Sequence, residues 1–273
     1  MPVEHAADWD GTTANYVELF ESLTGHFAAI AADRLKVSPG ETAVDIACGP
    51  GAAAQRLLRA GATVTAVDFS QGMATVLRSR EEAAVEDGRL VVRVMDGQAL
   101  DLPDDAFDAA VSAFGVVLFP DFAAGVRELA RVTRPGGRAA VTTWPDHDHS
   151  GFMVRWRLAI REHAPDFAFS GGPPGLLATA TPKAFAGVLA DGGLREVEVT
   201  SERFDWPVRS ADWFCEHFDR NPYPRGVHAS LAETYGRDIG RRVKDTLRRL
   251  LRDEFGDGPF TLPTTAHVAT ACA

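Results

Sequence analysis

The stretch TAVDIACGPGAAAQRL, residues 42–57, contains side chains and spacings that could hold a small polar ligand. An apolar run interrupted by Asp45 leads into Gly49-Pro50-Gly51, and helix-forming residues follow from Ala52. Glycines allow the backbone to approach a ligand closely, and the free N–H groups at the start of a helix favour an anionic or polar group. The stretch therefore predicts a ligand site at a corner between a strand and a helix.

Two carboxylates narrow the choice of ligand at this corner. Residues 49–54 match G-x-G-x-x-A, the spacing of dinucleotide-binding turns, although one such match is weak evidence. Asp68, 17 residues after Gly51, could accept hydrogen bonds from two ribose hydroxyls, which suits any nucleoside. Asp45 would repel a pyrophosphate, but it could orient a ligand that carries an ammonium group. The pair favours a nucleoside without a diphosphate.

The elements that position these residues alternate between strand and helix from Thr42 to Trp144, which predicts parallel strands joined by crossover helices. Helix-starting residues precede four predicted helices: Ser70, Asp121, Thr181 and Ser210. One or two amphipathic helices are expected upstream, over 13–35. Strand-like segments are found at 42–47, 63–68, 90–95, 107–114, 138–144, 195–204 and 260–268.

The bulk composition points to a globular protein that handles a small molecule. With 45% hydrophobic residues the chain can bury a core, and a net charge of −10 argues against nucleic acid or an anionic membrane as partner. The three cysteines lack disulfide or zinc spacing, so we expect no metal site. No stretch approaches the ~20 apolar residues of a membrane span, and no secretion signal opens the chain, so a cytoplasmic location is expected.

Four ordered segments carry a resemblance to a known family: VDIACGPG, VTAVDFSQGM, DGQALDLPDDAFDAAVSAFG and ELARVTRPGGRAAVTTW. Together they resemble the signature segments of class I S-adenosylmethionine-dependent methyltransferases, and they are most similar to the ubiquinone/menaquinone-biosynthesis-like group. The resemblance covers about Glu41 to Trp144. It implies a Rossmann-like α/β fold with a seven-stranded, mostly parallel sheet whose last strand is antiparallel, with helices on both faces and a helical lid. Ala47 departs from the family, which often has glycine there, and we expect little consequence.

The resemblance also implies S-adenosylmethionine as cofactor, S-adenosylhomocysteine as product, and a set of binding residues. Asp68 would hold the ribose, and Tyr16 would close over the cofactor, although a core aromatic is an equal alternative for Tyr16. The methionine part would contact Asp45, Ala47, Gly49, Gly51, Phe114 and Gly115. The adenine would contact Phe69, Met73, Asp96, Gly97 and Gln98.

Candidate catalytic and substrate residues follow the fifth strand, because ligands of open α/β sheets lie beyond the carboxyl ends of the strands. His147 and His149 could take a proton from a hydroxyl acceptor, with Trp144 and Phe152 as an apolar wall. A solvated loop is the simpler interpretation of the two histidines, and a metal site lacks a fourth ligand. Trp213 and His217 are competing substrate contacts.

The predicted organisation is an amino-terminal helical cap, 1–40, and a methyltransferase domain, 41–273, with lid insertions at about 145–180 and 207–258. The expected reaction is methyl transfer to a small, apolar or aromatic metabolite, with oxygen as the first choice of acceptor and nitrogen or carbon as alternatives. Two other functions stay open. One is a cyclase or binding protein that keeps the cofactor without methylating, and the other is a nicotinamide-dependent oxidoreductase. The sequence leaves the oligomeric state open.

Overall fold

A seven-stranded sheet forms the centre of the chain in a computed structural model that describes residues 6–145, 151–168 and 173–273. The strand order is β3-β2-β1-β4-β5-β7-β6, with β1 to β5 parallel and β7 antiparallel to both of its neighbours. The predicted fold class and the antiparallel last strand are confirmed. The strands are β1 (Thr42–Ile46), β2 (Thr63–Asp68), β3 (Leu90–Val94), β4 (Phe107–Ala113), β5 (Thr133–Thr143), β6 (Arg195–Val208) and β7 (Phe260–Cys272).

Helices cover the sheet, and helices also occur in the described parts of the two segments predicted as lid insertions. Those before the sheet are α1 (Ala6–Asp10), α2 (Thr13–Leu19) and α3 (Glu21–Arg34). Those between the strands are α4 (Ala52–Arg59), α5 (Gln71–Arg80), α6 (Glu82–Glu86), α7 (Phe122–Val132), α8 (Gly151–His163), α9 (Pro174–Ala178), α10 (Pro182–Asp191), α11 (Ala211–Phe218), α12 (Pro222–Tyr235) and α13 (Ile239–Phe255). None of the helices in the described ranges is long and apolar enough to cross a membrane.

The four predicted helix starts are confirmed, because each capping oxygen accepts a hydrogen bond from the backbone N–H three residues later. The side chains of Ser70, Asp121, Thr181 and Ser210 begin α5, α7, α10 and α11. Such caps satisfy backbone donors that have no partner within the helix, which stabilises each helix by about 1 kcal/mol. The local sequence therefore determines where these four helices begin.

The register of the central strands brings three carboxyl ends to one edge of the sheet. In β1, Asp45 pairs with Ala66 of β2 on one side and with Val111 of β4 on the other. The chain runs from β1 to β2 in one direction and returns to β4 on the opposite side, so a crevice forms where the strand order reverses. The loops after β1, β2 and β4 all open into this crevice.

Four features differ from the prediction, and strand pairing explains two of them, the start of β5 and the length of β6. The amino-terminal region forms three helices, and the helix after β2 is broken at Glu81 into α5 and α6. Strand β5 begins at Thr133, which pairs with Phe107 before a register shift, so residues expected as a turn lie inside the strand. Strand β6 extends to Val208 because β7 pairs along its full length.

An aromatic core joins the amino-terminal helices to the carboxyl-terminal ones above the crevice. Phe20 of the α2–α3 junction stacks on Trp206 with ring centroids 5.9 Å apart and also contacts Phe152 of α8. Phe214 and Phe218 of α11 stack on each other at 5.3 Å within the same core. The cap and the later helices therefore share one apolar interior.

Candidate functional site

Asp45 is the most deeply buried carboxylate at the crevice, with 1% of its surface exposed. Its Oδ2 accepts a hydrogen bond from the Ala54 N–H, 2.9 Å away, at the start of α4. Its Oδ1 is buried and has no hydrogen-bond partner among the described residues. Burial raises the pKa of Asp45 to about 7, and the nearby charge of Asp68 acts in the same direction. An unpartnered carboxylate oxygen in a cavity is suited to a cationic or hydrogen-bond-donating ligand.

The glycine corner lies beside this carboxylate and requires left-handed backbone. Gly49 has φ of 54° and Gly51 has φ of 97°, conformations that side chains other than glycine rarely adopt. A Cβ at Gly51 would lie 2.2 Å from Leu77 Cδ1, so α5 packs directly against the corner. The loop is thereby fixed with its backbone exposed to the crevice.

Asp68 lies at the end of β2 and is held by two backbone donors. Gly49 N–H donates to Oδ2 at 2.8 Å, and Ser70 N–H donates to Oδ1 at 2.9 Å. Burial raises the pKa of Asp68 to about 6, while these two hydrogen bonds lower it. Each carboxylate oxygen keeps a second lone pair. The fixed carboxylate can accept from two neighbouring hydroxyls, as a ribose requires.

Three residues at the ends of β1 and β4 meet at short range. Ala47 and Phe114 are not glycines, yet they have φ of 56° and 60°. A Cβ at Gly115 would lie 2.4 Å from the Ala47 Cβ, so only glycine fits there without movement. Strained backbone of this kind costs about 1 to 3 kcal/mol per residue and often marks a functional site. Alanine at position 47, where the family often has glycine, therefore costs conformational energy in the backbone even though its side chain is small.

The residues expected around an adenine lie after β2 and β3, whose ends are adjacent because Asp68 pairs with Val94. Phe69 is half-buried, and Met73 in α5 is buried. Asp96 is exposed and accepts hydrogen bonds from the Gln98 N–H and side chain at 2.9 and 3.0 Å. A Cβ at Gly97 would lie 2.6 Å from the Phe119 ring. These residues form one rim of the crevice.

The cap forms the roof of the cavity at the other end. Tyr16 is half-buried, and its hydroxyl shares a hydrogen bond of 2.8 Å with Thr24 Oγ1. Burial raises the pKa of Tyr16 to about 12, so its hydroxyl stays protonated at neutral pH. Tyr16, Glu21 and Thr24 line a cavity together with Asp45, Ala47, Cys48 and Gly49. Sequence reasoning missed Glu21 and Thr24, which follow no motif and reach the cavity only because α3 folds over it.

The expected substrate residues are distributed over two places. Trp144 stacks on Phe114 with ring centroids 4.0 Å apart and meets the Phe27 ring edge-on at 5.9 Å, beside the cavity. Phe152 is 8% exposed and packs within the aromatic core. Core packing explains its position, so that position is not independent evidence of a substrate contact.

Trp213 and His217 lie on α11, away from the glycine corner. The His217 ring donates from Nδ1 to the Trp213 carbonyl oxygen at 2.8 Å, and His217 lines a surface groove with Asn15 and Glu18. His147 and His149 lie outside the described residues. Within the described ranges, no group of three His, Cys, Asp or Glu side chains could hold a metal ion.

Comparison with known proteins decides the family. Residues 44–141 match the model of a family described as "Methyltransferase domain". An uncharacterized protein of Mycobacterium bovis is 30% identical over 226 residues, which are 80% of this chain and 78% of that protein. The chain belongs to the class I S-adenosylmethionine-dependent methyltransferases.

Further relatives of this methyltransferase are more distant or match a shorter part. A demethylmenaquinone methyltransferase of Corynebacterium kroppenstedtii is 44% identical over 110 residues, 40% of this chain and 44% of that enzyme, so the chain spans under half of its length. A putative methyltransferase from Bacillus halodurans superposes with a TM-score of 0.55 at 14% identity, covering 90% of this chain and 97% of that one. The latter likeness shows the fold.

The residues of this methyltransferase fit S-adenosylmethionine. Asp45 lines the cavity with Ala47 and Gly49, and its buried Oδ1, which has no partner among the described residues, can accept from an ammonium group. Asp68 is oriented by two backbone N–H groups at the neighbouring strand end. Two fixed carboxylates suit an adenosine joined to a positively charged amino-acid tail, and they disfavour a dinucleotide because its pyrophosphate would lie beside Asp45.

Proposed function

We propose that this methyltransferase transfers a methyl group from S-adenosylmethionine to a hydroxyl of a small, apolar or aromatic metabolite. One observation carries the choice of acceptor class: Ala113 lines the cavity that contains Asp45, and the ring of the next residue, Phe114, stacks on Trp144. An aromatic wall beside the methyl donor offers a flat apolar surface on which a ring-shaped acceptor can lie. The net charge of −10 disfavours a nucleic acid as substrate.

The proposed roles of the cofactor-binding residues follow their positions in the crevice. Asp68 holds the ribose hydroxyls, and Tyr16 closes over the cofactor from the cap. The methionine part lies against Asp45, Ala47, Gly49, Gly51, Phe114 and Gly115. The adenine lies between Phe69 and Met73 on one side and Asp96, Gly97 and Gln98 on the other. In this scheme, residues 1–40 act as a cap, and 145–180 and 207–258 act as lids over the acceptor.

Methyl transfer requires the protein to align the acceptor with the methyl group and the sulfur, and it requires no covalent enzyme intermediate. When bound, S-adenosylmethionine would supply an electrophilic methyl group, whose bond to the sulfonium sulfur would break as the acceptor oxygen bonds to the methyl carbon, with the neutral thioether as leaving group. Asp68 and the glycine corner fix the adenosine, and the cap and the aromatic wall keep water from the reacting atoms. Alignment of this kind can supply about 7 to 11 kcal/mol of the barrier in well-oriented systems.

A hydroxyl acceptor must lose its proton during transfer, and His147 and His149 are the proposed bases. They follow β5 directly, two and four residues beyond Pro145, so the chain enters their segment from the crevice side of the sheet. The neutral form of histidine, with an ordinary pKa of about 6.5, accepts a proton near neutral pH. Trp144, Phe152, Trp213 and His217 are the proposed acceptor contacts.

The Corynebacterium relative supports an apolar ring as acceptor, since its name indicates a menaquinone precursor. That relative matches 40% of this chain, so the support concerns the class of acceptor. Phenolic and quinol compounds are therefore the first compounds to test.

The decisive experiment combines cofactor binding with label transfer. S-adenosylhomocysteine should bind in calorimetry, and Asp68→Ala should weaken that binding at least tenfold because the ribose loses its acceptor. With methyl-labelled cofactor, label should appear on a phenolic oxygen of the acceptor, located by NMR of the product. Label that stays on the cofactor while the substrate rearranges would identify a cyclase, and tight binding of NADH without binding of S-adenosylhomocysteine would reject the whole proposal.

The bases are tested separately. The variants His147→Gln and His149→Gln should lower kcat about 100-fold or more, singly or together, while leaving the affinity for S-adenosylhomocysteine unchanged. Arg203→Gln serves as a matched surface control, because its guanidinium pairs only locally with Asp205 on the exposed face of β6. Full activity of the double histidine variant would reject a histidine base.

A further inference from the structure

Asp10, at the end of α1, fastens the amino-terminal cap to the rim of the cofactor crevice. Its Oδ1 accepts from Ser70 Oγ at 2.6 Å and from the Gly72 N–H at 2.8 Å. Both donors belong to the first turn of α5, where free N–H groups favour a carboxylate. The fit is close, because a Cβ at Gly72 would lie 2.6 Å from Thr13 Oγ1. The cap therefore rests directly on the start of α5.

Ser70 connects this contact to the ribose carboxylate. Its N–H donates to Asp68 Oδ1 at 2.9 Å, while its hydroxyl donates to Asp10. The same hydroxyl accepts from the Met73 N–H at 3.1 Å and so begins α5. One residue therefore lies between the cap and the carboxylate that is proposed to hold the sugar.

The opposite end of the cap is fastened to the carboxyl-terminal helices. Asn15 Nδ2 donates to the His217 carbonyl oxygen at 2.9 Å, and Glu18 pairs with Arg209 at 2.6 Å. Tyr16, which lines the cavity, lies within the second attachment, between Asn15 and Glu18. The cap is thus a strap that crosses the cavity from the rim after β2 to α11.

We propose that Asp10 is a positioning residue that holds this strap closed, so that cofactor and product exchange only when Asp10 releases α5. The inference rests on the proposed cofactor site but does not depend on the acceptor. Tyr16 and Thr24 line the cavity on its cap side and share a hydrogen bond, so outward movement of the strap would widen the path for a ligand as large as adenosylhomocysteine. The Asp10 contacts attach the strap to the start of α5 at the adenosine end, while Arg80, near the end of the same helix, pairs with Glu21 of α3.

A gate has a kinetic signature that a simple ligand contact lacks. Asp10→Ala should raise both the association and the dissociation rate of S-adenosylhomocysteine by about tenfold, because opening precedes both steps. The equilibrium constant should change less than threefold. Stopped-flow fluorescence gives both rates, and Trp9 is a reporter in the strap, 6.0 Å from the Tyr16 ring. The variant Asp10→Asn, which keeps an acceptor, should lie between wild type and Asp10→Ala.

Asp8→Ala is the matched control, because Asp8 lies on the same helix and its 4.0 Å pair with Arg225 is solvent-exposed. Its rates should equal those of the wild type. Unchanged rates in Asp10→Ala would overturn the proposal. A rise in dissociation alone would also overturn it, because Asp10 would then act as a ligand contact. Absence of S-adenosylhomocysteine binding in the wild type would instead reject the proposed function.

A disulfide between the strap and α5 tests the same proposal, because it should slow ligand exchange where Asp10→Ala should accelerate it. The 2.6 Å between Thr13 Oγ1 and a Cβ at Gly72 is near the separation of about 3 Å between a disulfide sulfur and the far Cβ, so Thr13→Cys with Gly72→Cys can bridge strap and α5. The oxidised double variant should exchange S-adenosylhomocysteine at least tenfold more slowly than the reduced form. In each single variant, the exchange rate should be the same under oxidising and reducing conditions. Equal exchange in the oxidised and reduced forms would overturn the proposal.

Discussion

Asp45 on β1 and Ala54 on α4 are joined by a hydrogen bond of 2.9 Å in which the Ala54 N–H donates to Asp45 Oδ2. One carboxylate oxygen thus caps the helix that follows the glycine corner, while the other has no partner among the described residues in a side chain that lines the cavity. The same side chain stabilises the corner and carries a desolvated charge for the ligand. Those two roles can be separated by removing the charge while keeping the acceptor.

Asp45→Asn should stabilise the free protein at pH 8 and weaken cofactor binding. Burial raises the folded pKa of Asp45 to about 7, above its ordinary value of 3.8, so the stabilisation from the protonated form is complete below pH 3.8 and is lost as the pH rises through 7. Asparagine stays neutral and can still accept from Ala54. We expect the free energy of unfolding in urea to rise by about 3 kcal/mol at pH 8 and to change little at pH 4.

Asp108→Asn is the control with the opposite sign. The Thr42 N–H and Arg134 hold the pKa of Asp108 at about 2, below its ordinary value, so its charged form stabilises the fold. That stabilisation is present above pH 3.8 and is lost as the pH falls towards 2. Asp108→Asn should therefore lower the free energy of unfolding at pH 8 by about 1 to 2 kcal/mol. Destabilisation by Asp45→Asn at pH 8 would contradict the interpretation of the buried charge.

Binding of S-adenosylmethionine should strengthen as the pH rises from 5 to 8. The pKa values of Asp45 and Asp68 are raised to about 7 and about 6, so both carboxyls become ionised over this range, where they attract the cationic ligand. We expect at least a tenfold gain in affinity and release of protons on binding near pH 6.5. Calorimetry in buffers of different ionisation enthalpy measures both, and a pH-independent affinity without proton release would be the contrary result.

The sequence predicted the parts of the fold that local interactions determine. Ser70, Asp121, Thr181 and Ser210 begin helices through bonds to backbone three residues away, and such signals are visible in the sequence. The length of β6 is different, because it follows from pairing with β7 more than fifty residues later. The break between α5 and α6 at Glu81 was also not predicted, because no glycine or proline occurs at that position.

The candidate site shows the same division. Asp45 with the glycine corner, and Asp68, follow two neighbouring strands of the predicted sheet, so their grouping was predictable from the strand order. Asp10 and Thr24 reach the crevice only because the cap folds over it, and no spacing rule connects them to β2. The aromatic residue Phe152 shows a further limit, since periodicity alone does not distinguish a core ring from a pocket wall.

Gly115→Ala should destabilise the protein through one specific overlap with Ala47. The new Cβ would lie 2.4 Å from the Ala47 Cβ and 2.7 Å from Ser112 Oγ, so we expect a loss of about 1 to 3 kcal/mol in the free energy of unfolding. Ala47→Gly alone should change stability by less than about 1 kcal/mol, because relief of the positive φ at Ala47 offsets the entropy of glycine.

The double variant measures the coupling between these two positions. Ala47→Gly in the Gly115→Ala background removes the nearer overlap, so it should recover about 1 kcal/mol more than it gains alone, with Ser112 accounting for the remaining loss. Urea unfolding of the four proteins completes the cycle. Additive effects would show that the two strand ends do not press on each other.

His228 should make the carboxyl-terminal helices sensitive to acid. His228 is half-buried in α12, and its Nε2 accepts from Trp156 Nε1 at 3.4 Å. Burial, with Lys244 nearby, lowers its pKa to about 4, from an ordinary value of 6.5. Since the unfolded chain binds this proton more readily, stability is full above pH 6.5 and is lost as the pH falls towards 4, by at most about 3 kcal/mol. His228→Gln keeps an acceptor for Trp156 without titrating, so its free energy of unfolding should fall less than that of the wild type between pH 7 and pH 4. Stability curves that stay parallel over this range would show that His228 takes up its proton as easily in the fold as outside it.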